Sequence, residues 1–259
     1  MKNRLSIVKI GGNIIENSQE LSKFLRLFAK MDTPKILVHG GGKKANQLLE
    51  KMGIPPKMVN GRRITDKATL DVVVMTYAGL TNTNIVAQLQ ALGCNALGLS
   101  GADANSIKAH KRPVKDIDYG FAGDVDKVDG KKIGSLLDIG FVPVFCALTH
   151  DGNGQLLNTN ADTIAAELAG QLSTQYETLL YYCFEKNGVL ESISDESSVI
   201  DQIDTDAYAI LLKKGIINDG MLPKIKNCFT ALEKGAREVR IGNTNLFQNE
   251  NTNYTTLVL

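Results

Sequence analysis

Residues 35–52 read KILVHGGGKKANQLLEKM, and the fold can be worked out from them. Lys35 to His39 is a short run of mostly branched apolar residues, the composition of a buried strand. Gly40 to Gly42 stop it, and from Lys43 onward Leu48, Leu49 and Met52 mark the inner face of a helix ending at Met52. Strand, glycine turn and helix in that order make the β-loop-α unit of a parallel sheet. The glycines are either turn material or a cradle of backbone N–H groups for an anion, with Lys43 and Lys44 beside it. The stretch alone leaves both readings open.

The same unit lies just upstream. Arg4 to Ile10, RLSIVKI, runs into Gly11-Gly12 as a second buried strand would. A helix follows: Asn17 and Glu20 have capping-box spacing, and Leu21, Phe24, Leu25 and Phe28 recur at i, i+3, i+4, i+7. Downstream, MVNGRRIT (58–65) reads as a hairpin. One helix starts at Asp66 with Leu70, Val73, Val74 and Tyr77 inward, and another carries Ile85, Leu89 and Leu92. NALGLSG (95–101) and FVPVFCAL (141–148) read as strands, and residues 106–128 as polar-edged hairpins. Asn160 caps a helix, ADTIAAELAG, that closes at Gly170. From Thr178 the alternation restarts with TLLYYCF, a helix from Asp204 to Lys214, and a helix after Asp219-Gly220 carrying Leu222, Ile225, Phe229 and Leu232. EVRIG (238–242) is the last strand. Strands alternating with helices predict an α/β fold, a mainly parallel open sheet covered on both faces. Two lobes are expected, residues 1–170 and 171–259.

Composition narrows the function. At 43% hydrophobic and 22% charged, with a net charge of +1, the chain is an ordinary soluble globular protein without a global field for nucleic acid. Cys94, Cys146, Cys183 and Cys228 form no C-x-x-C pair and sit among apolar neighbours, as reduced core thiols of a cytoplasmic protein do. The longest apolar runs are about half a membrane span. His39, His110 and His150 share no metal-ligand spacing, so no metal site is expected.

Ligands of parallel α/β sheets bind outside the carboxyl ends of the strands, so Gly11-Gly12 and Gly40 to Gly42 should share one mouth. The Walker pattern is absent: Leu37 stands where its first glycine belongs and Lys44 where Ser or Thr belongs. G-x-G-x-x-G is absent after the first two strands as well. These absences argue against a P-loop NTPase and against a simple dinucleotide-binding oxidoreductase. Other residues stand out, each with two readings. Lys9, a cation closing an apolar strand, is a snorkelling lysine or a functional one. Lys224, early in a helix, opposes the helix dipole unless an anion is near. Asp162, in a first helical turn, serves the dipole or orients lysines, with Asn158 just before it. Arg62-Arg63 is a solvated pair or a fork for a carboxylate.

Taken in order, KIGGN, VHGGGKKANQLLEKMGI, NGRRIT, GLSGADA, LLNTNADTIAAELAG and NDGMLPKIKNCFTALEKGAREVRIG resemble the amino acid kinase superfamily, and within it the acetylglutamate kinase family. The resemblance spans nearly the whole chain and implies an αβα sandwich with two lobes, acyl amino acid in the first and MgATP in the second. It implies that Lys9 and Lys224 stabilise the transferring phosphoryl group from opposite sides, with Asp162 organising them. By the same resemblance, Gly41 and Gly42 meet the acceptor carboxylate, Gly11 and Gly12 lie on the nucleotide side, and Arg63 and Asn158 hold the substrate α-carboxylate. The activity implied is ATP-dependent phosphorylation of the γ-carboxylate of N-acetyl-L-glutamate in arginine biosynthesis, by a homodimer. The alternatives are the same reaction on N-succinyl-L-glutamate, the activity of another amino acid kinase, and a non-catalytic amino acid sensor on the same fold. One segment departs from the family pattern: Cys183-Phe184-Glu185-Lys186 replaces the usual Thr or Ser followed by Asp.

Elementary chemistry agrees with this assignment. Phosphoryl transfer to a carboxylate brings anions together and asks of the protein mainly positioning and charge neutralisation. A γ-carboxylate is ionised at neutral pH, so no general base is required. Magnesium is expected to arrive with ATP, on phosphate oxygens.

Overall fold

The computed structural model describes residues 2–192, 194–217, 221–247 and 253–259. In chain order, β1 (Arg4–Ile10), α1 (Gly12–Glu16), α2 (Ser18–Ala29), β2 (Lys35–His39) and α3 (Gly42–Lys51) repeat the β-loop-α unit twice. A small hairpin, β3 (Met58–Val59) and β4 (Arg62–Arg63), precedes α4 (Lys67–Val74) and α5 (Thr83–Ala91). Next come β5 (Ala96–Leu99), β6 (Ile107–Lys111), β7 (Ala122–Val128), α6 (Gly130–Asp138), β8 (Val142–Cys146), β9 (Leu148–His150) and β10 (Leu156–Thr159). The remainder is α7 (Ala161–Leu172), β11 (Glu177–Cys183), β12 (Gln202–Ile203), α8 (Thr205–Lys213), α9 (Leu222–Glu233), β13 (Glu238–Gly242) and β14 (Thr255–Leu257).

Eight strands form the main sheet in the order β12-β14-β13-β11-β1-β2-β8-β5. Every pairing is parallel except β13 with β14, so β12 and β14 run against the rest. The side chains of β1 divide between two cores, as alternation requires. Leu5 and Ile7 join Ile164, Leu168 and Ile225 on the α7 and α9 face. Val8 and Ile10 join Phe24, Phe28 and Ile85 on the α2 and α5 face. This is the αβα sandwich with a mainly parallel open sheet. Four further strands, β10-β7-β6-β9, close into a small barrel.

The caps behave as the sequence suggests: Asn17 accepts from the N–H groups of Gln19 and Glu20, and Asn160 from those of Asp162 and Thr163. Asn60 and Gly61 both have positive φ, 50° and 72°, the turn that matches strand twist in a two-residue hairpin. Four expectations need correction. The helices expected from Asp66 and around Ile85 are one continuous run, joined by a π-helical segment, Met75–Asn82. Ala45 and Leu49 are the buried residues of α3, whereas Met52 is 53% exposed. The helix capped by Asn160 runs to Leu172 rather than closing at Gly170. EVRIG is not the last strand, since β14 follows and pairs with it. The expected start at Asp219-Gly220 lies outside the described residues, and α9 is helical from Leu222.

Candidate active site

β1 and β2 are adjacent and parallel, with Lys9 beside Val38 and Ile10 beside His39. Their glycine turns therefore open on the same edge of the sheet. On the other side of β1, Lys9 pairs in register with Tyr182 of β11. Lys9 points to the same face as Leu5 and Ile7 but stands one step past the core, where the N-terminus of α7 arrives. Its Nζ is 2.6 Å from Asp162 Oδ1, with both side chains mostly buried. The Tyr182 hydroxyl donates to the Asp162 carbonyl at 2.8 Å, tying the first turn of α7 to β11.

Lys224, in the first turn of α9, comes to the same place from the third side. Its Nζ lies 5.0 Å from the centroid of the Phe184 ring. Burial lowers its pKa first and the charge of Lys9 lowers it further, while Asp162 and Glu185 oppose both. Two lysines whose charges repel, one paired with Asp162 and the other within its field, form a cationic focus suited to a polyanion. Phe184 and Glu185 occupy the segment that departs from the family pattern, and both act on Lys224.

The two glycine turns differ in what they leave free. The Gly11 N–H is used, donating to the Cys183 carbonyl at 3.1 Å. Among the described residues, no backbone carbonyl accepts from the N–H of Gly12, Gly41 or Gly42. Lys43, for which sequence suggested only a helix start, donates from Nζ to Asn13 Oδ1 and lays its stem along Gly12, linking the two turns. A Cβ on Gly41 would fall 2.7 Å and 2.9 Å from Tyr77 ring carbons. Only glycine fits there.

Beside the Gly40 to Gly42 turn a cleft of ≈ 190 Å³ is walled by Gly41, Gly42, Arg62, Arg63, Tyr77 and Asn158. The hairpin turn sends Arg63 inward, where it is 6% exposed and Nη2 donates to the Gly42 carbonyl at 3.0 Å. Its Nη1 is buried with no hydrogen-bond partner among the described residues, an orphan donor beside the free N–H groups of Gly41 and Gly42. Asn158 Nδ2 donates to Thr65 Oγ1 at 3.0 Å, which fixes the side chain beside Arg63. Arg62 lines the same cleft, its pKa lowered by burial and by Arg112 nearby. A larger cleft of ≈ 370 Å³ lies beyond β1, β11 and β13, with Asn13, Phe184, Glu185 and Asn243 on its walls.

Sequence reasoning placed Tyr77 on the inner face of its helix, and the structure buries it there; that its ring also closes the cleft against Gly41 was not legible, because apolar periodicity reports the face and not the neighbour met on it. It missed Lys43 as a bridge for a similar reason: a helix-start lysine shows no partner 30 residues away. No group of three or more His, Cys, Asp or Glu among the described residues could hold a metal. No helix among them is long and apolar enough to cross a membrane.

Comparison with known proteins gives a consistent outcome. The sequence profile described as Amino acid kinase family matches residues 4–243. An acetylglutamate kinase of Bacteroides fragilis is 52% identical over 93% of this chain and 92% of its own length. One of Methanopyrus kandleri is 37% identical, with 92% and 95% covered. Among solved structures, an N-acetylglutamate synthase from Neisseria gonorrhoeae superimposes with a TM-score of 0.84 at 21% identity, covering 99% of this chain and 59% of that one. A carbamate kinase from Giardia lamblia superimposes with a TM-score of 0.69 at 13% identity, covering 99% and 98%. These two are likenesses of fold.

Proposed function

Because the chain belongs to the amino acid kinase family, among the acetylglutamate kinases, we propose that it transfers the γ-phosphoryl group of ATP to the γ-carboxylate of N-acetyl-L-glutamate. The products are an acyl phosphate and ADP. The bond between the γ-phosphorus and the β,γ-bridging oxygen breaks while a carboxylate oxygen bonds to phosphorus, and no proton need move. The observation that carries the reading is the meeting of Lys9, Asp162 and Lys224 beside two glycine turns. Charge spreads over the phosphoryl oxygens in the transition state, and fixed cations and N–H donors at that place lower the barrier without reorganising.

Lys9 and Lys224 neutralise the phosphoryl oxygens, and Asp162 holds Lys9 in place and offsets the repulsion between the two ammonium groups. Gly41 and Gly42 present N–H groups to the acceptor carboxylate and the passing phosphoryl group, with Gly12 on the nucleotide side and Gly11 shaping that turn. Arg63, whose Nη1 has no partner among the described residues, and Asn158 hold the α-carboxylate. ATP enters as its magnesium complex, the ion held by phosphate oxygens. In this reading residues 1–170 take the acyl amino acid and residues 171–259 the nucleotide, and the protein is a cytoplasmic homodimer.

The test is direct. Incubate the protein with MgATP and hydroxylamine, offer N-acetyl-L-glutamate, N-succinyl-L-glutamate, glutamate, aspartate and carbamate in turn, and measure hydroxamate from the trapped acyl phosphate. The expected product forms with N-acetyl-L-glutamate. No hydroxamate from either acylglutamate refutes the reading, and a light-scattering mass near 28.1 kDa refutes the dimer.

A further inference from the structure

We propose that His39 and Asn82 form a positioning pair that aims the Gly41 N–H at the phosphoryl group being transferred. The proposal rests on the reading above, in which Gly41 meets the reacting groups. It adds two residues that touch neither substrate.

His39 ends β2 and is completely buried. Its Nδ1 is 2.7 Å from the carbonyl oxygen of Gly40, and its Nε2 is 2.9 Å from Asn82 Nδ2. The same Nδ2 is 2.9 Å from the carbonyl oxygen of Val144 in β8. A carbonyl can only accept, so this end of Asn82 is its NH2 group, and the second hydrogen of that group faces Nε2. Nε2 therefore accepts, the proton of the neutral ring sits on Nδ1, and Nδ1 donates to Gly40. Burial lowers the His39 pKa to about 4, which keeps the ring in this neutral form at ordinary pH.

The consequence runs through the peptide plane. The Gly40 carbonyl and the Gly41 N–H belong to one planar trans unit and point in opposite directions. Drawing the carbonyl down to His39 turns the N–H outward, into the cleft that Arg63 and Asn158 line. With glycine on both sides of the peptide, nothing else in the local sequence restrains that rotation. Other features of the fold converge on the pair. A Cβ on Gly98 would run into Asn82 Oδ1, so the strand beside it leaves the amide room. Asn82 ends the π-helical segment that also carries Tyr77. In an α-helix two residues five apart lie roughly 140° from each other, whereas a π-helix, bonded i to i+5, returns them to nearly one face. That segment thus brings Tyr77 against Gly41 and Asn82 against His39 together.

The test uses the full-length chain. Its three histidines allow the ring of His39 to be assigned by 15N NMR against a His39→Asn variant. The neutral Nδ1–H form is expected between pH 6 and 8, and the Nε2–H form would overturn the proposal. That measurement needs no substrate, so it stands apart from any failure of the proposed activity. In the hydroxamate assay His39→Leu, which leaves Gly40 without its donor, should lower kcat about 10- to 100-fold, with both KM values within about threefold. His39→Asn places an amide N–H near the old Nδ1 and should return kcat to within about fivefold of the unmodified protein. Equal losses in the two variants, or a loss confined to KM, would also overturn it. If His39→Leu does not fold, the ring tautomer in the unmodified protein decides.

Discussion

Gly41→Ala is the substitution whose cost can be worked most directly from the structure. The added methyl would lie 2.7 Å from Tyr77 Cδ1 and 2.9 Å from Cε1. Ordinary van der Waals contact begins at 3.4 Å, so the shortfall is about 0.7 Å and about 0.5 Å. Tyr77 is 6% exposed and belongs to the core, so its ring cannot swing away, and most of the displacement falls on the loop. Overpacking of this kind costs about 1–3 kcal/mol of stability. A shift approaching 1 Å in groups that position a reacting centre costs on the order of 100-fold in rate. Denaturant unfolding and the hydroxamate assay, run on Gly41→Ala, Tyr77→Leu and the double variant, separate the two effects. The double variant should recover stability relative to Gly41→Ala, with a coupling of about 0.5–3 kcal/mol in the double-mutant cycle. A Gly41→Ala protein with unchanged stability and kcat would refute the contact, and additive effects in the cycle would refute Tyr77 as its cause.

Lys9→Ala and Lys224→Ala should each lower kcat on the order of 100-fold while changing KM much less, because their contacts strengthen as charge develops on the phosphoryl group; equal effects on KM alone would contradict the roles assigned. Arg63→Ala should act the other way, raising KM for the acylglutamate on the order of 10- to 100-fold, since a charge-assisted contact is worth about 1.5–3 kcal/mol; steady-state kinetics with the acceptor varied decides it. The pH profile of kcat/KM reports the free enzyme. Burial and Lys9 lower the Lys224 pKa, so its proton is lost as pH rises before that of a free lysine, and activity should fall on the alkaline side below the ordinary lysine range near 10.4. The limb should vanish in Lys224→Arg if that variant retains activity, and a limb left in place would assign it to another group.

Much of the site could be located from local sequence for a physical reason. Lysine at the end of an apolar strand and glycines directly after it are costly choices unless something is gained there, so Lys9, Gly11-Gly12 and Gly40 to Gly42 stand out against their neighbours. The hairpin at Asn60-Gly61 is legible because only such residues adopt two successive positive φ angles readily. The π-helical join at Met75–Asn82 leaves no such mark. Its apolar residues satisfy an α-helical reading on either side, and the shift in phase between Tyr77 and Asn82 depends on what each packs against. The short strands β12 and β14 were not apparent either, because two or three residues cannot display a period.

By itself the sequence determined the class of fold, through strand and helix periods that each segment carries locally, and it determined which residues are chemically out of place. Its local patterns did not determine that Lys224, more than 200 positions from Lys9, would come within the field of Lys9 and Asp162, which only the resemblance implied, nor that His39 and Asn82 would hold the turn of Gly40 to Gly42. Those relations exist only once α7 and α9 lie on one face of the sheet and the helical run from Lys67 to Ala91 lies across its edge. The physical reason is that a pattern along the chain reports which face a residue presents, while the partner it meets on that face is chosen by long-range packing.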